Sequence, residues 1–485
     1  MQESVAKAPV LEMQPSQDQR GKMIRGLVCV ALTLVIWFIP VPQGLTPLTW
    51  HLLAIYLGAV FGICLRPAPE PVVLLAALSV VAVPLKELRI ALSAFSESTP
   101  WLMWTAFLIG YFFNETGLGS RISYKLIEKL GRSSLRLGYV AAIADVIIAP
   151  ATPSNTARTG GLLFPIFQSL AVTLDSRPGP TARRIGSYLM VLMYQISLST
   201  AAMFITAGAI NALNLSFARN ILKTDVSWPL WALAMSVPGV ICLLLLPYLV
   251  YKIYPPEIKE VDNKKIAADG YKKLGPMSAN EKKLVVLFVL ALIGWATSTI
   301  TKLDPSAVAI AFVALAILTG IVTWDKVLAC KNAWSILIWY AGIVSLANGL
   351  SKLGFFAWLG KLLGQNMQFA MGNKMVFLVA VILLGIVVRY LFASTIAFIA
   401  TMVPLLYTLG AAAHLPPIPL ILLVAASSQL ASAQTHYSNA CGPILFGSGY
   451  VPQSTWWKIG HITTYLGMFI YFVVGLTWWR VLGLW

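Results

Sequence analysis

One apolar stretch of the chain holds a dense set of groups able to bind an anion. Pro150, Pro153, Gly160 and Gly161 frame Thr152, Ser154, Asn155, Thr156, Arg158 and Thr159. Two prolines, two glycines and a polar run cannot continue a lipid-facing helix. Non-helical backbone survives at membrane depth only when it is buried in protein or lines a wet cavity. A re-entrant hairpin over about 138–174, with Ser154-Asn155-Thr156 at its tip, meets that condition. Such a tip offers two hydroxyls, an amide and free N–H groups at the following helix N-terminus, a natural seat for an anion. The competing reading is a kinked span whose Ser and Thr cap the break, which leaves Arg158 and the density of polar groups unexplained. An arginine inside a membrane is a functional candidate by default. The alternative for Arg158 is a structural ion pair with Asp145.

The pattern recurs. Ser394-Thr395-Ile396-Ala397 precedes Pro404 as Ser154-Asn155-Thr156-Ala157 precedes Pro165. The surrounding region, about 375–411, is apolar enough for a plain span, and only the repetition marks it as a second hairpin. A further pair, Thr206 to Asn211 and Thr435 to Asn439, sits mid-span beside small residues, compatible with local unwinding that bares backbone donors and acceptors. Asn211 and Asn439 can each donate to a carboxylate; small-residue helix packing is the alternative. His436 adds positive charge if protonated, while a neutral, hydrogen-bonded ring is an equal reading. The candidate substrate contacts are therefore Ser154, Asn155, Thr156, Ser394, Thr395, Thr206, Asn211, Thr435 and Asn439. Arg158 and His436 are the candidate charge-compensating groups.

The elements that carry these residues follow from composition. Of 485 residues 58% are hydrophobic and 11% charged, against roughly a quarter charged in soluble chains. Such a chain must be covered by lipid. Apolar runs predict an all-α integral membrane protein of about eleven spans plus the two hairpins. The net charge of +17 could suggest nucleic acid, but it is concentrated in loops. Lys252, Lys259, Lys264, Lys265, Lys272, Lys273, Lys282 and Lys283 form one cluster; Lys125, Lys129, Arg132 and Arg136 a second; Arg177, Arg183 and Arg184 a third. By the positive-inside rule all three face the cytoplasm, as does the N-terminus with Arg20, Lys22 and Arg25, and an odd span count puts the C-terminus outside. Residues 1–23 read as a cytoplasmic segment without a secretory signal, and 24–45 as a first span.

The remainder divides into two units of five spans, 46–253 and 284–485, joined by a cytoplasmic linker at 254–283. Trp101 to Gly119 and Trp334 to Gly354 supply another repeated landmark. Five is odd, so the second unit enters inverted, a common plan for secondary transporters with the site at the repeat interface. Cys29, Cys64, Cys242, Cys330 and Cys441 stand singly and predict no metal site. Glu115, Asp145 and Arg389 are isolated, and no constellation suited to an enzyme is present.

Ser154-Asn155-Thr156-Ala157-Arg158-Thr159-Gly160-Gly161 resembles the signature of the divalent anion:sodium symporter family, nearest to its citrate/succinate, tartrate/succinate and plastid 2-oxoglutarate/malate exchangers. The likeness runs along almost the whole chain, to Phe446-Gly447-Ser448-Gly449-Tyr450-Val451. It implies a homodimer with an elevator-like transport domain, in which two Ser-Asn-Thr tips meet at the substrate with sodium beside each. Here Thr395 and Ile396 replace the second tip's Asn and Thr, removing oxygen ligands that a cation would need. The expectation is sodium-independent exchange of di- or tricarboxylates (succinate, malate, fumarate, 2-oxoglutarate, citrate or tartrate) across a bacterial inner membrane. No cofactor is expected, sodium being possible but not favoured, and no nucleic acid is bound. A sodium-coupled symporter of the same fold is the alternative, and an anion channel a third.

Overall fold

The computed structural model describes residues 15–365 and 373–485. Within them the regular structure is helical, and the isolated bridge between Ser133 and Glu260 stands in place of any strand. The chain opens with α1 (Pro15–Phe38), α2 (Pro47–Leu65), α3 (Glu70–Ala82) and α4 (Ser98–Thr116). Local sequence sets these limits. Thr46 Oγ1 accepts from the Thr49 N–H with Pro47 in the first turn, and Arg66 ends α2 in the left-handed region at φ 50°. Gly117, at φ 78°, ends α4, a conformation glycine adopts without strain.

An amphipathic α5 (Leu118–Leu130) leads to α6 (Ser134–Ile148). A widened turn over Thr156–Leu163 then continues as α7 (Phe164–Thr173). Asp145 and Arg158 are ion-paired at 3.0 Å, although thirteen residues of straight helix would hold them roughly 20 Å apart. The chain therefore doubles back between them, with Thr152 to Asn155 at the turn. Next come α8 (Gly186–Met203), α9 (Ala209–Ile221) and α10 (Trp228–Ile253). The expected mid-span unwinding is found between α8 and α9, where Gly208 is extended at φ −153°.

A linker carrying α11 (Asn263–Leu274) runs to α12 (Ala279–Ala296), α13 (Pro305–Leu318), α14 (Lys331–Lys352) and α15 (Phe355–Gln365). α11 lies along α5, and Arg121 grips Glu281 with Nε and Nη2 at 2.6 and 3.2 Å. Then α16 (Lys374–Arg389) and α17 (Thr395–Ala412) form a second helical hairpin, their arms in contact. α18 (Pro417–Leu430) gives way to irregular chain from Thr435 to Cys441, and α19 (Gln453–Val481) closes the fold.

Two sets of helices result. α2, α3, α4, α13 and α14 pack together, while α8 and α9 interlock with α17 and α18 from the other half. The outer faces are apolar: Phe38 is 78% and Leu318 81% exposed. Each such side chain in water would forgo roughly 25 cal/mol per Å² of apolar area, so lipid must cover them. Among the described residues, eight helices are long and apolar enough to cross a membrane. Two further apolar helices, α3 and α13, are shorter, of 13 and 14 residues. This is a multi-span integral membrane protein.

Candidate functional site

The two hairpin tips face one cavity of about 410 Å³, within the roughly 300–1,000 Å³ usual for small-molecule sites. Ser154, Asn155 and Thr156 line it from the first tip, Ser394, Thr395 and Ile396 from the second, and Gly208 and Asn439 from the two breaks. The opposite wall consists of Asn332, Ser335 and Trp339 of α14, with Phe107, Glu70 and Arg66.

The tips are built alike. Ser154 Oγ accepts from the Ala157 N–H at 3.3 Å, and Ser394 Oγ from the Ala397 N–H at 3.4 Å. Each serine thus caps the following helix through its oxygen and keeps its hydroxyl hydrogen for another acceptor. Both helix N-termini bring partial positive charge to the cavity, a setting suited to carboxylate oxygens. Asn155 reaches the Ser197 carbonyl through Nδ2 at 3.4 Å. Thr395 differs: its Oγ1 donates to the Ser438 carbonyl at 3.0 Å and accepts from Arg389 at 2.7 Å. It braces the tip rather than offering a free donor.

Each hairpin is fastened to the break in its own half by a guanidinium. Arg158, wholly buried, donates to the carbonyls of Thr152, Ala207 and Ser197 at 2.9, 3.2 and 3.2 Å, and to Asp145 Oδ1 at 3.0 Å. Asp145 Oδ1 also accepts from Thr159 Oγ1 at 2.8 Å. Arg158 is absent from the cavity lining, and its charge meets a carboxylate inside the protein. The ion-pair alternative for Arg158 is therefore the arrangement observed.

The second guanidinium is Arg389, also wholly buried. It donates to the carbonyls of Phe392 and Ser438, to Thr395 Oγ1 and to Ser432 Oγ. The Phe398 ring lies 5.2 Å from its carbon centre. No Asp or Glu among the described residues pairs with it, and its Nε has no partner. Taken alone in the sequence, Arg389 shows nothing of this, because the groups it joins are up to 49 residues away. Asp145 and Arg158 cancel, which leaves Arg389, itself outside the cavity lining, as the buried cation behind the tips without a carboxylate partner.

A sodium ion beside either tip would need these same oxygens, since hard cations are held by oxygen ligands. At the first tip the Thr152, Ser197 and Ala207 carbonyls already accept from Arg158; at the second, the Ser438 carbonyl and two hydroxyls accept from Arg389. At both tips these oxygens already face a guanidinium, whose charge opposes an added cation among them. Among the described residues there is also no cluster of three His, Cys, Asp or Glu side chains suited to a metal.

The remaining candidates stand behind the cavity. Thr206 Oγ1 accepts from Trp228 Nε1 at 3.2 Å. Asn211 Nδ2 donates to the Ala201 and Phe204 carbonyls at 2.6 and 2.9 Å, closing the end of α8. Thr435 Oγ1 accepts from the Ser438 N–H at 3.2 Å. His436 stacks on Phe446 at 4.4 Å, and its Nδ1 accepts from Trp457 Nε1 at 3.1 Å. An indole N–H only donates, so that nitrogen carries no proton and the imidazole is neutral in this arrangement. Several cavity residues were not anticipated, the α14 wall among them; nor was Gln429 of α18, 1% exposed, whose Nε2 donates to Asn211 Oδ1 at 3.2 Å.

Comparison with known proteins agrees in extent. The family described as "Sodium:sulfate symporter transmembrane region" matches residues 20–485. The chain is 43% identical over 466 residues to "Inner membrane protein YbhI" of Escherichia coli (strain K12), covering 95% of this chain and 98% of that one. It is 38% identical over 477 residues to "Putative malate transporter YflS" of Bacillus subtilis (strain 168), covering 98% and 99%. With "L-tartrate/succinate antiporter" of Shigella sonnei (strain Ss046) it shares 34% over 478 residues, covering 94% and 97%. Signature, helical fold, paired tips and full-length relatives converge, and the chain belongs to the divalent anion:sodium symporter family.

Proposed function

We propose that this protein exchanges dicarboxylates across a bacterial inner membrane without sodium, the cargo seated between the two serine-capped tips. The observation that carries the reading is Arg389, a buried cation with no carboxylate partner, bound to the oxygens that an added cation would need. A dicarboxylate supplies the missing negative charge, and two helix N-termini with two free serine hydroxyls supply its hydrogen bonds.

Exchange follows from the electrostatics of the membrane. Moving one elementary charge against 100 mV costs about 2.3 kcal/mol, so a dianion entering a negative-inside cell alone would face roughly twice that. Swapping one dianion for another moves no net charge, because the fixed arginine travels both ways with a loaded site. The relatives named as a malate transporter and a tartrate/succinate antiporter support this class of cargo. The same reading includes two inverted five-span units, an elevator motion of a homodimer, and basic loops on the cytoplasmic side with the C-terminus outside.

The test is uptake of labelled succinate into proteoliposomes. Uptake should require internal dicarboxylate and be unchanged when potassium replaces sodium. Uptake driven by a sodium gradient into vesicles lacking internal anion would establish the symport alternative, and conductance without trans-stimulation would establish a channel.

A further inference from the structure

The cavity between the tips has a closed end and an open one. Asn155, Thr395 and Gln429 line it as buried residues, while Arg66 and Asn332 line it as exposed ones. The opening lies at the end of the molecule that carries the basic linker. Asn332 stands at the start of α14, Lys326 just before it pairs with Glu115 at the close of α4, and Arg121 of α5 grips Glu281. By the topology proposed above, that end is cytoplasmic.

Among the described residues that line the cavity, Arg66 is the one cation. Its backbone serves the fold: at φ 50° it ends α2, its N–H donating to the Gly62 carbonyl at 2.9 Å. Its side chain does not. Among the described residues the guanidinium has neither an ion pair nor a hydrogen bond. Glu70, in the first turn of α3, lines the same opening, and it is not paired with Arg66 although only four residues away. Pro67 and Pro69 stiffen the connector between them, since each proline fixes its own φ. A cation and an anion are thus held apart at one opening.

We infer that Arg66 docks the cargo at the inner face: its guanidinium pairs with one carboxylate of a dianion entering or leaving the cavity, and Glu70 opposes the same approach. Guanidinium and carboxylate match in a two-pronged contact. The docking is one-sided, because Arg66 is fixed to the set formed by α2, α3, α4, α13 and α14, whereas the tips belong to the hairpins. Cargo released at the outer face leaves Arg66 behind. The inference rests on the reading that this cavity is the cargo seat and that its opening is cytoplasmic.

The experiment measures KM for labelled succinate at each face, using right-side-out and inverted membrane vesicles preloaded with succinate. Arg66→Gln should raise the inner-face KM about fivefold, the upper range for an exposed ion pair, and leave the outer-face KM within about twofold. Arg66→Lys keeps the charge and should recover most of that loss. Glu70→Gln should move the inner-face KM the other way, to about half. An unchanged inner-face KM in Arg66→Gln, an equal rise at both faces, a lysine variant no better than the glutamine one, or an unchanged inner-face KM in Glu70→Gln would each overturn the assignment. Should Arg66→Gln not fold, the inner-face KM of Glu70→Gln decides. Failure of the wild type to exchange any dicarboxylate would instead remove the cargo seat itself, a different result.

Discussion

Asp145 and Arg158 form a pair whose removal can be worked through in both directions. Both are wholly buried, and the pair fastens the outgoing arm of the first hairpin to its returning arm. Asp145→Asn leaves a guanidinium in the interior without a counter-charge, a change that costs roughly 3–5 kcal/mol in comparable buried pairs. Arg158→Met leaves a carboxylate that can take up a proton, but it removes the donors from the Thr152, Ala207 and Ser197 carbonyls. At about 1 kcal/mol for each such hydrogen bond, that is roughly 3 kcal/mol before the ion pair is counted. The double variant removes both charges and keeps only the carbonyl loss. Its destabilisation should therefore fall about 3 kcal/mol short of the sum of the single effects, well beyond the ~0.5 kcal/mol scatter of independent sites. Unfolding titrations with SDS in mixed micelles measure all three variants against the wild type. Additive losses would refute the claim that the two residues act as a unit. An Arg158→Met protein of wild-type stability that no longer exchanges succinate would return Arg158 to direct compensation of the cargo.

Two further outcomes follow from other contacts. Arg389→Gln should reduce succinate exchange by about a hundredfold or more, since it removes the uncompensated charge and most of the donors to the second tip; Arg389→Lys should keep part of the activity at a raised KM, and an unchanged KM in the glutamine variant would contradict the role given to the charge. Glu281→Ala loses the two-pronged grip of Arg121 and half of the capping box with Ser278; trypsin should then cut the linker at Lys272 or Lys273 about tenfold faster, as expected for local opening eased by ~1–2 kcal/mol, with no change in rate telling against the linker's being held there.

Legibility in the sequence followed the range of the interactions. The first tip could be read because Pro150, Pro153, Gly160 and Gly161 are incompatible with a lipid-facing helix over a single short window. The second tip, apolar and lacking such breakers, was visible only as an echo of the first. The break between α8 and α9 was signalled by small residues around Gly208, and that between α18 and the chain end by Gly442-Pro443. The ends of α3 and α13, at Ala82 and Leu318, fall just before Pro84 and Gly320, within apolar sequence that continues past them. The partners of Arg389 and Gln429 could not be read. Gln429 sits in an apolar run and meets Asn211 from 218 residues away, a distance that no local spacing encodes. His436 and Arg158 were picked out by residue type alone. Which of two roles each fills depends on Trp457 and Asp145, which only the folded chain brings to them.

A cation that is part of the polypeptide cannot be diluted away. Arg389 stands at the second tip at the same effective concentration in fresh water, brine or cytoplasm, and it has no dissociation constant to satisfy. A carrier built this way keeps one stoichiometry whatever the salinity outside. Under the exchange proposed above, it does not concentrate its cargo by drawing on an ion gradient, and the accumulation it reaches is bounded by the counter-anion the cell already holds.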